Sequence, residues 1–159
     1  MNPTVYNTAL VVHIAGITLM AGTTFIDFIV FRLFRKIFPQ DKSKGLALAD
    51  IFYRLQRFMG IGMLVILLSG VMMMVYLHQV WGQQVWFRVK MAMLLLIIIN
   101  GLAIRRRLGN KLKNNLTGDK TEPGLKAKLA GLESSITSVQ VLQLAFFLII
   151  FVLSVFKFN

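Results

Sequence analysis

The chain has 159 residues, of which 57% are hydrophobic, and its mean hydropathy is +0.70. Apolarity of that degree, gathered in long runs, excludes an ordinary soluble domain and reads as an integral membrane protein. The lack of cysteine excludes disulfides, thiolate ligands and cysteine nucleophiles, and the net charge of +12 lies between the hydrophobic runs, where it sets topology and meets lipid headgroups rather than nucleic acid.

Asn2-Pro3 predicts a helix start, with Pro3 at the first helical position. Residues 1–7 lack the basic region and cleavage pattern of a signal peptide, so the first hydrophobic run is expected to stay as a helix over about 4–34. Steps of three and four along it join His13, Gly16, Met20, Thr23 or Thr24, and Asp27 into one stripe. The stripe holds the least lipid-friendly residues of the segment and should face protein or a cofactor. A histidine that simply packs between helices, bonded to a neighbour, is the plainer reading of His13.

A basic turn follows, with Arg32, Arg35, Lys36, Lys42 and Lys44, and with Pro39 and Gly45 as helix breakers. The second helix is expected over about 47–78. It opens on an amphipathic turn (Asp50, Arg54, Arg57) and is uncharged from Phe58 to Leu77. Gly60, Met63, Leu67, Gly70 and Met74 share a stripe ending at His78, which reads as a histidine at the water boundary. A short uncharged loop with Trp81 leads to the third helix, about 85–107. Tyr6, Tyr76, Trp81 and Trp86 gather at this end as an interfacial aromatic belt. Arg105-Arg106-Arg107 is expected to stop the third helix, and about 108–123 to be a basic polar loop. The fourth helix, about 124–157, starts as an amphipathic extension and turns apolar from Val139.

Together these predict an all-α, four-transmembrane-helix bundle forming a single domain over 1–159. Basic residues crowd the 1–2 and 3–4 connections and are scarce at the other end, so both termini are expected outside, with the basic loops and the long fourth helix extending into the cytoplasm. Compactness and the strong charge bias suggest a bacterial inner membrane as the home of this multi-pass chain.

Depth follows from topology. His13 and Lys90 each fall about 7 Å toward the outside of their helix centres. A lysine there costs roughly 2.5–3.5 kcal/mol unless it is used or snorkels to the headgroups. Arg88 lies nearer the interface. Asp27, Asn100, Gln140 and Gln143 form a second polar layer in the inner half, read as interhelical hydrogen bonding. Asp27 can pair with Arg54 or Arg57, or carry protons.

The outer layer suits a tetrapyrrole. A neutral imidazole is a usual axial ligand of haem iron. Gly16 on the first helix and Gly60, Gly62 and Gly70 on the second could leave room for a flat ring, and Arg88 and Lys90 could pair with propionates. Lys90, or Met20, Met63 or Met74 on inward stripes, could supply the opposing ligand. So many methionines are also ordinary packing material.

The pattern resembles HemJ-type membrane protoporphyrinogen oxidases and their CopD-like four-helix relatives. Those families share a helix-1 histidine followed by glycine (here His13 through Gly16 and Gly22), a glycine-bearing second helix after an arginine turn (Arg57 through Gly70), and a W-x3-K opening to the third (Trp86 and Lys90). The resemblance implies b-type haem on His13, with Lys90 as its functional partner. It also implies oxidation of a porphyrinogen with electrons passed to quinone or the respiratory chain. Thr23-Thr24-Phe25-Ile26-Asp27 stands where the family carries an aromatic- and proline-rich stretch, and Gln140 stands where it carries an acidic residue beside a proline. The competing expectations are a copper or small hydrophobic-ligand carrier on the CopD pattern, and a non-catalytic membrane scaffold subunit. A homo-oligomer is compatible with each.

Overall fold

The computed structural model describes residues 3–81, 84–117 and 125–156. Five α-helices carry the chain: α1 (Pro3–Ile37), α2 (Lys42–Trp81), α3 (Val85–Ile98), α4 (Arg106–Thr117) and α5 (Leu125–Val155). A π-helical segment, Ile99–Arg105, joins α3 to α4, so the three run on as one rod. Four of these rods are long and apolar enough to cross a membrane. Their outer faces expose large apolar side chains throughout, Val11, Leu68, Leu148 and Val155 among them. Such a continuous apolar exterior belongs in lipid rather than water.

Two boundaries differ from expectation. The second helix begins at Lys42, not near 47, because Asp41 caps it: its Oδ1 accepts the Lys44 backbone N–H at 3.1 Å. The same N–H and the Lys44 ammonium hold the Asp41 carboxyl below the usual carboxylate range. Gly45 therefore lies inside α2 rather than breaking a helix. A Cβ there would stand 2.8 Å from the Phe38 Cα, so glycine lets the end of α1 fold back on α2. The second difference is α4, which occupies much of the expected 108–123 loop. Leu108, Leu112 and Leu116 recur every fourth residue, and Leu112 is buried while the other two pack beside it. That stripe makes a polar-looking segment an amphipathic helix.

α1 and α2 form the closest pair. A Cβ on Gly62 would stand 3.0 Å from the Met20 backbone nitrogen, and one on Gly16 would stand 2.9 Å from Val65 Cγ1. Small residues at such a crossing let helix backbones approach. α5 packs against α1 on one side and α3, the π segment and α4 on the other.

Two apolar cores are stacked along the bundle. One gathers Met20, Met59, Met63, Ile66, Ile97 and Phe147. The other, nearer the basic end, gathers Phe31, Phe34, Ala49, Phe52, Leu112 and Ile136, with the Phe31 and Phe52 rings 5.2 Å apart. Between them α1, the π segment and α5 each place polar side chains: Thr24 and Asp27, Asn100 and Arg105, Gln140 and Gln143.

Candidate functional site

His13 lies beyond the methionine core, toward the end away from the basic turns. Its Nδ1 is 2.9 Å from Ser69 Oγ of α2. Ser69 in turn donates to the carbonyls of Val65 at 2.6 Å and Ile66 at 3.2 Å. A hydroxyl has one hydrogen, and here the backbone takes it. In that arrangement the imidazole donates from Nδ1, which leaves Nε2 with a bare lone pair. A glycine at 70 lets the ring lie against α2, since a Cβ there would be 3.5 Å from His13 Cε1.

Lys90 is half-buried on α3. Its Nζ donates to Ser154 Oγ of α5 at 3.0 Å, and Ser154 donates to the Ile150 carbonyl at 2.7 Å. Imidazole and ammonium are each oriented by a serine that is itself tied to helix backbone.

The other outer-layer expectations divide. Gly70 borders the imidazole. Gly16 and Gly62 do not leave room for a flat ring, because Val65 and Ile66 of α2 fill the flank of the first and Met20 of α1 that of the second. Met20 and Met63 are buried in the methionine core and serve packing there. Met74 is half-buried and Arg88 exposed. Trp86 is buried, its Nε1 donating to Gln84 Oε1. The side chains of Tyr76, His78 and Trp81 lie outside those described. Among the described residues no three His, Cys, Asp or Glu side chains stand together as for a metal ion. A metal at His13 would have to bring most of its own ligands.

The inner layer is tightly joined. Asp27 is fully buried and pairs with Arg105, whose Nη2 stands 3.2 and 3.0 Å from the two carboxylate oxygens. Neither Arg54 nor Arg57 fills that role, and Arg54 bonds Asp50 instead at 2.8 Å. Gln140 Nε2 donates to Asp27 Oδ2 at 2.7 Å, and Asn100 Nδ2 donates to Gln143 Oε1 at 2.7 Å and to the Val139 carbonyl at 3.1 Å. The Arg105 guanidinium lies 3.9 Å over the Phe52 ring, an attraction that strengthens where water is excluded. A cavity of about 10 Å³ opens among Thr24, Asn100 and the two glutamines, the size for one water. Asn100 Oδ1, Gln140 Oε1 and Gln143 Nε2, unbonded among the described residues, offer such a water both acceptors and a donor.

The π segment explains how Asn100 and Arg105 come together. Five residues apart on an α-helix, they would point about 140° away from each other. Bonding from i to i+5 widens the turn and brings them much closer to one face. Arg105, expected to stop a helix at the membrane edge, is instead 3% exposed.

Sequence reasoning missed Ser69, Ser154 and Arg105. The two serines were detectable: each is the one hydroxyl in an otherwise apolar run, 58–75 and 144–155. Arg105 was hidden by the assumption of unbroken α-helical periodicity. No protein-family model, curated protein or solved structure matches the chain, so the resemblance described above rests on its quoted residues alone.

Proposed function

We propose that this chain is a multi-pass membrane protein that binds b-type haem through His13 and acts as an oxidoreductase resembling the HemJ type. The observation that carries the reading is the His13–Ser69–Val65 hydrogen-bond chain. It supports an imidazole that donates from Nδ1, the tautomer whose Nε2 is free to ligate iron. Metal-ligating histidines characteristically donate their other N–H to such a partner. The donor set fits haem better than a bare ion, since a porphyrin supplies the four nitrogens that the protein lacks. Lys90, oriented by Ser154, offers an ammonium to a carboxylate at the same level, whether a haem propionate or an acidic substrate. The filled flank of Gly16 leaves the Nε2 side of the ring as the approach. Haem, when bound, supplies one-electron redox chemistry. Porphyrinogen is the substrate, and quinone the acceptor, that the resemblance adds.

The orientation that accompanies this reading puts the basic ends of the helices in the cytoplasm of a bacterial inner membrane, by the positive-inside rule. The optical spectrum of the purified full-length protein tests the proposal. A Soret band that His13→Ala abolishes supports it. A colourless protein that takes up no added haem overturns it. Such a protein that binds Cu(I) would belong with the copper carriers, and one that only co-purifies with another subunit would be a scaffold.

A further inference from the structure

A groove of about 500 Å³ lies at the basic end, between the start of α2 and α4, far from His13. Arg54, Arg57 and Lys113 line it, with Asp50 as its one carboxylate. Three cations and one anion leave two positive charges facing the groove. Arg54 is already bonded to Asp50 at 2.8 Å, and Lys113 stands 5.7 Å over the Tyr53 ring. Leu46 and Leu116 give the groove apolar walls. The charges are thus gathered on a shaped surface with a greasy border, rather than spread over a solvated face.

Depth decides what could enter. The uncharged run 58–77 makes about 30 Å of helix, the thickness of a bilayer's hydrocarbon core. Arg57 sits immediately before it, at the level of lipid phosphates, and Arg54 is one turn further out on the same face. Guanidinium groups recognise phosphate oxygens through paired N–H donors. Basic pockets between membrane helices at this depth suit anionic headgroups.

We propose that this groove is a binding site for the headgroup of an anionic phospholipid carrying one or two negative charges. Its phosphate lies at Arg57 and Lys113, its acyl chains run toward the apolar stretch that begins at Phe58, and Leu46 and Leu116 wall the outer rim of the groove. The two net charges match such a headgroup, and Asp50 weighs against one that is more highly charged. The site is independent of the haem reading.

The test uses the full chain in phosphatidylcholine nanodiscs containing a minor fraction of phosphatidylglycerol. Lipids retained after extraction into mild detergent are counted by mass spectrometry, and circular dichroism checks that each variant keeps its helices. Wild type is expected to enrich phosphatidylglycerol. Arg57→Gln with Lys113→Gln should lower that enrichment by about fivefold per charge removed. Leu46→Trp, which narrows the groove at constant charge, should lower it as well. Arg32→Gln with Lys36→Gln, exposed cations on α1 outside the groove, should leave it intact. Equal loss in the α1 variant, or no loss with Leu46→Trp, would mean diffuse surface attraction and overturn the proposal. Displacement of the lipid by millimolar inorganic phosphate would do the same, since the groove would then take a soluble anion.

Discussion

A serine hydroxyl has a single hydrogen, and at Ser69 the backbone of α2 accepts it. From that one count follows the protonation pattern of His13. Nitrogen NMR of histidine-labelled protein should show Nδ1 protonated and Nε2 bare at neutral pH. The opposite tautomer would remove the basis for ligation. Ser69→Ala deletes the acceptor and should weaken haem retention about 10–100-fold, the range for losing an outer partner of a metal-bound histidine. Ser69→Thr, which keeps the hydroxyl, should restore it, as read by spectral titration with haem. The inner layer obeys a harsher rule. Asp27 and Arg105 are both removed from solvent, and removing one member leaves the other as an uncompensated charge. Asp27→Asn should therefore destabilise the fold by about 3–5 kcal/mol. Replacing both, Asp27→Leu with Arg105→Met, should recover most of that loss. Thermal unfolding in one fixed detergent compares the three. If Asp27→Asn unfolds like wild type, the pair holds nothing together.

Among the elements, the α1–α2 crossing gives the sharpest contrast. Gly62 faces the Met20 backbone with no room for a Cβ, while Gly60, two residues earlier, has nothing within 4 Å of that position. Gly62→Ala should push the helices apart and lower stability by roughly 1–3 kcal/mol, as overpacking does. Gly60→Ala should be neutral or slightly stabilising, since alanine is the better helix former. Equal melting shifts for the two would mean that the crossing is looser than drawn. Much of the architecture was legible before any coordinates. Runs of apolar residues mark the four rods, and His13, Asp27, Asn100, Gln140 and Gln143 announce themselves as polar groups in apolar surroundings. Helix ends were less legible. The start of α2 depends on one cap, Asp41. The segment after Arg105 looks like a loop by composition, and only its leucine spacing shows a helix. The partner of Asp27 could not be read from α-helical periodicity, because the π turn rotates Arg105 through a large angle to reach it.

At the scale of the whole molecule, charge is sorted lengthwise. Among the lysines and arginines of the described residues, only Arg88 and Lys90 fall at the end that carries His13. The rest belong to the basic end or, in Arg105, to the buried layer. Moving that end across a membrane would mean desolvating a dense cluster of cations, so insertion is expected to leave it in the cytoplasm. The lack of native cysteine makes this directly testable, because any introduced thiol is the sole target of a maleimide. Gln84→Cys, just before α3, and Lys111→Cys, on the exposed face of α4, mark the two ends without touching either polar layer. In intact cells a membrane-impermeant maleimide should label Cys at 84 and spare Cys at 111 until the membrane is broken. The reverse pattern would turn the bundle over. It would also place the His13 level on the cytoplasmic side, and a porphyrinogen would then have to reach it from the opposite face. Labelling of both positions in intact cells would mean mixed insertion, which a charge imbalance this large should prevent.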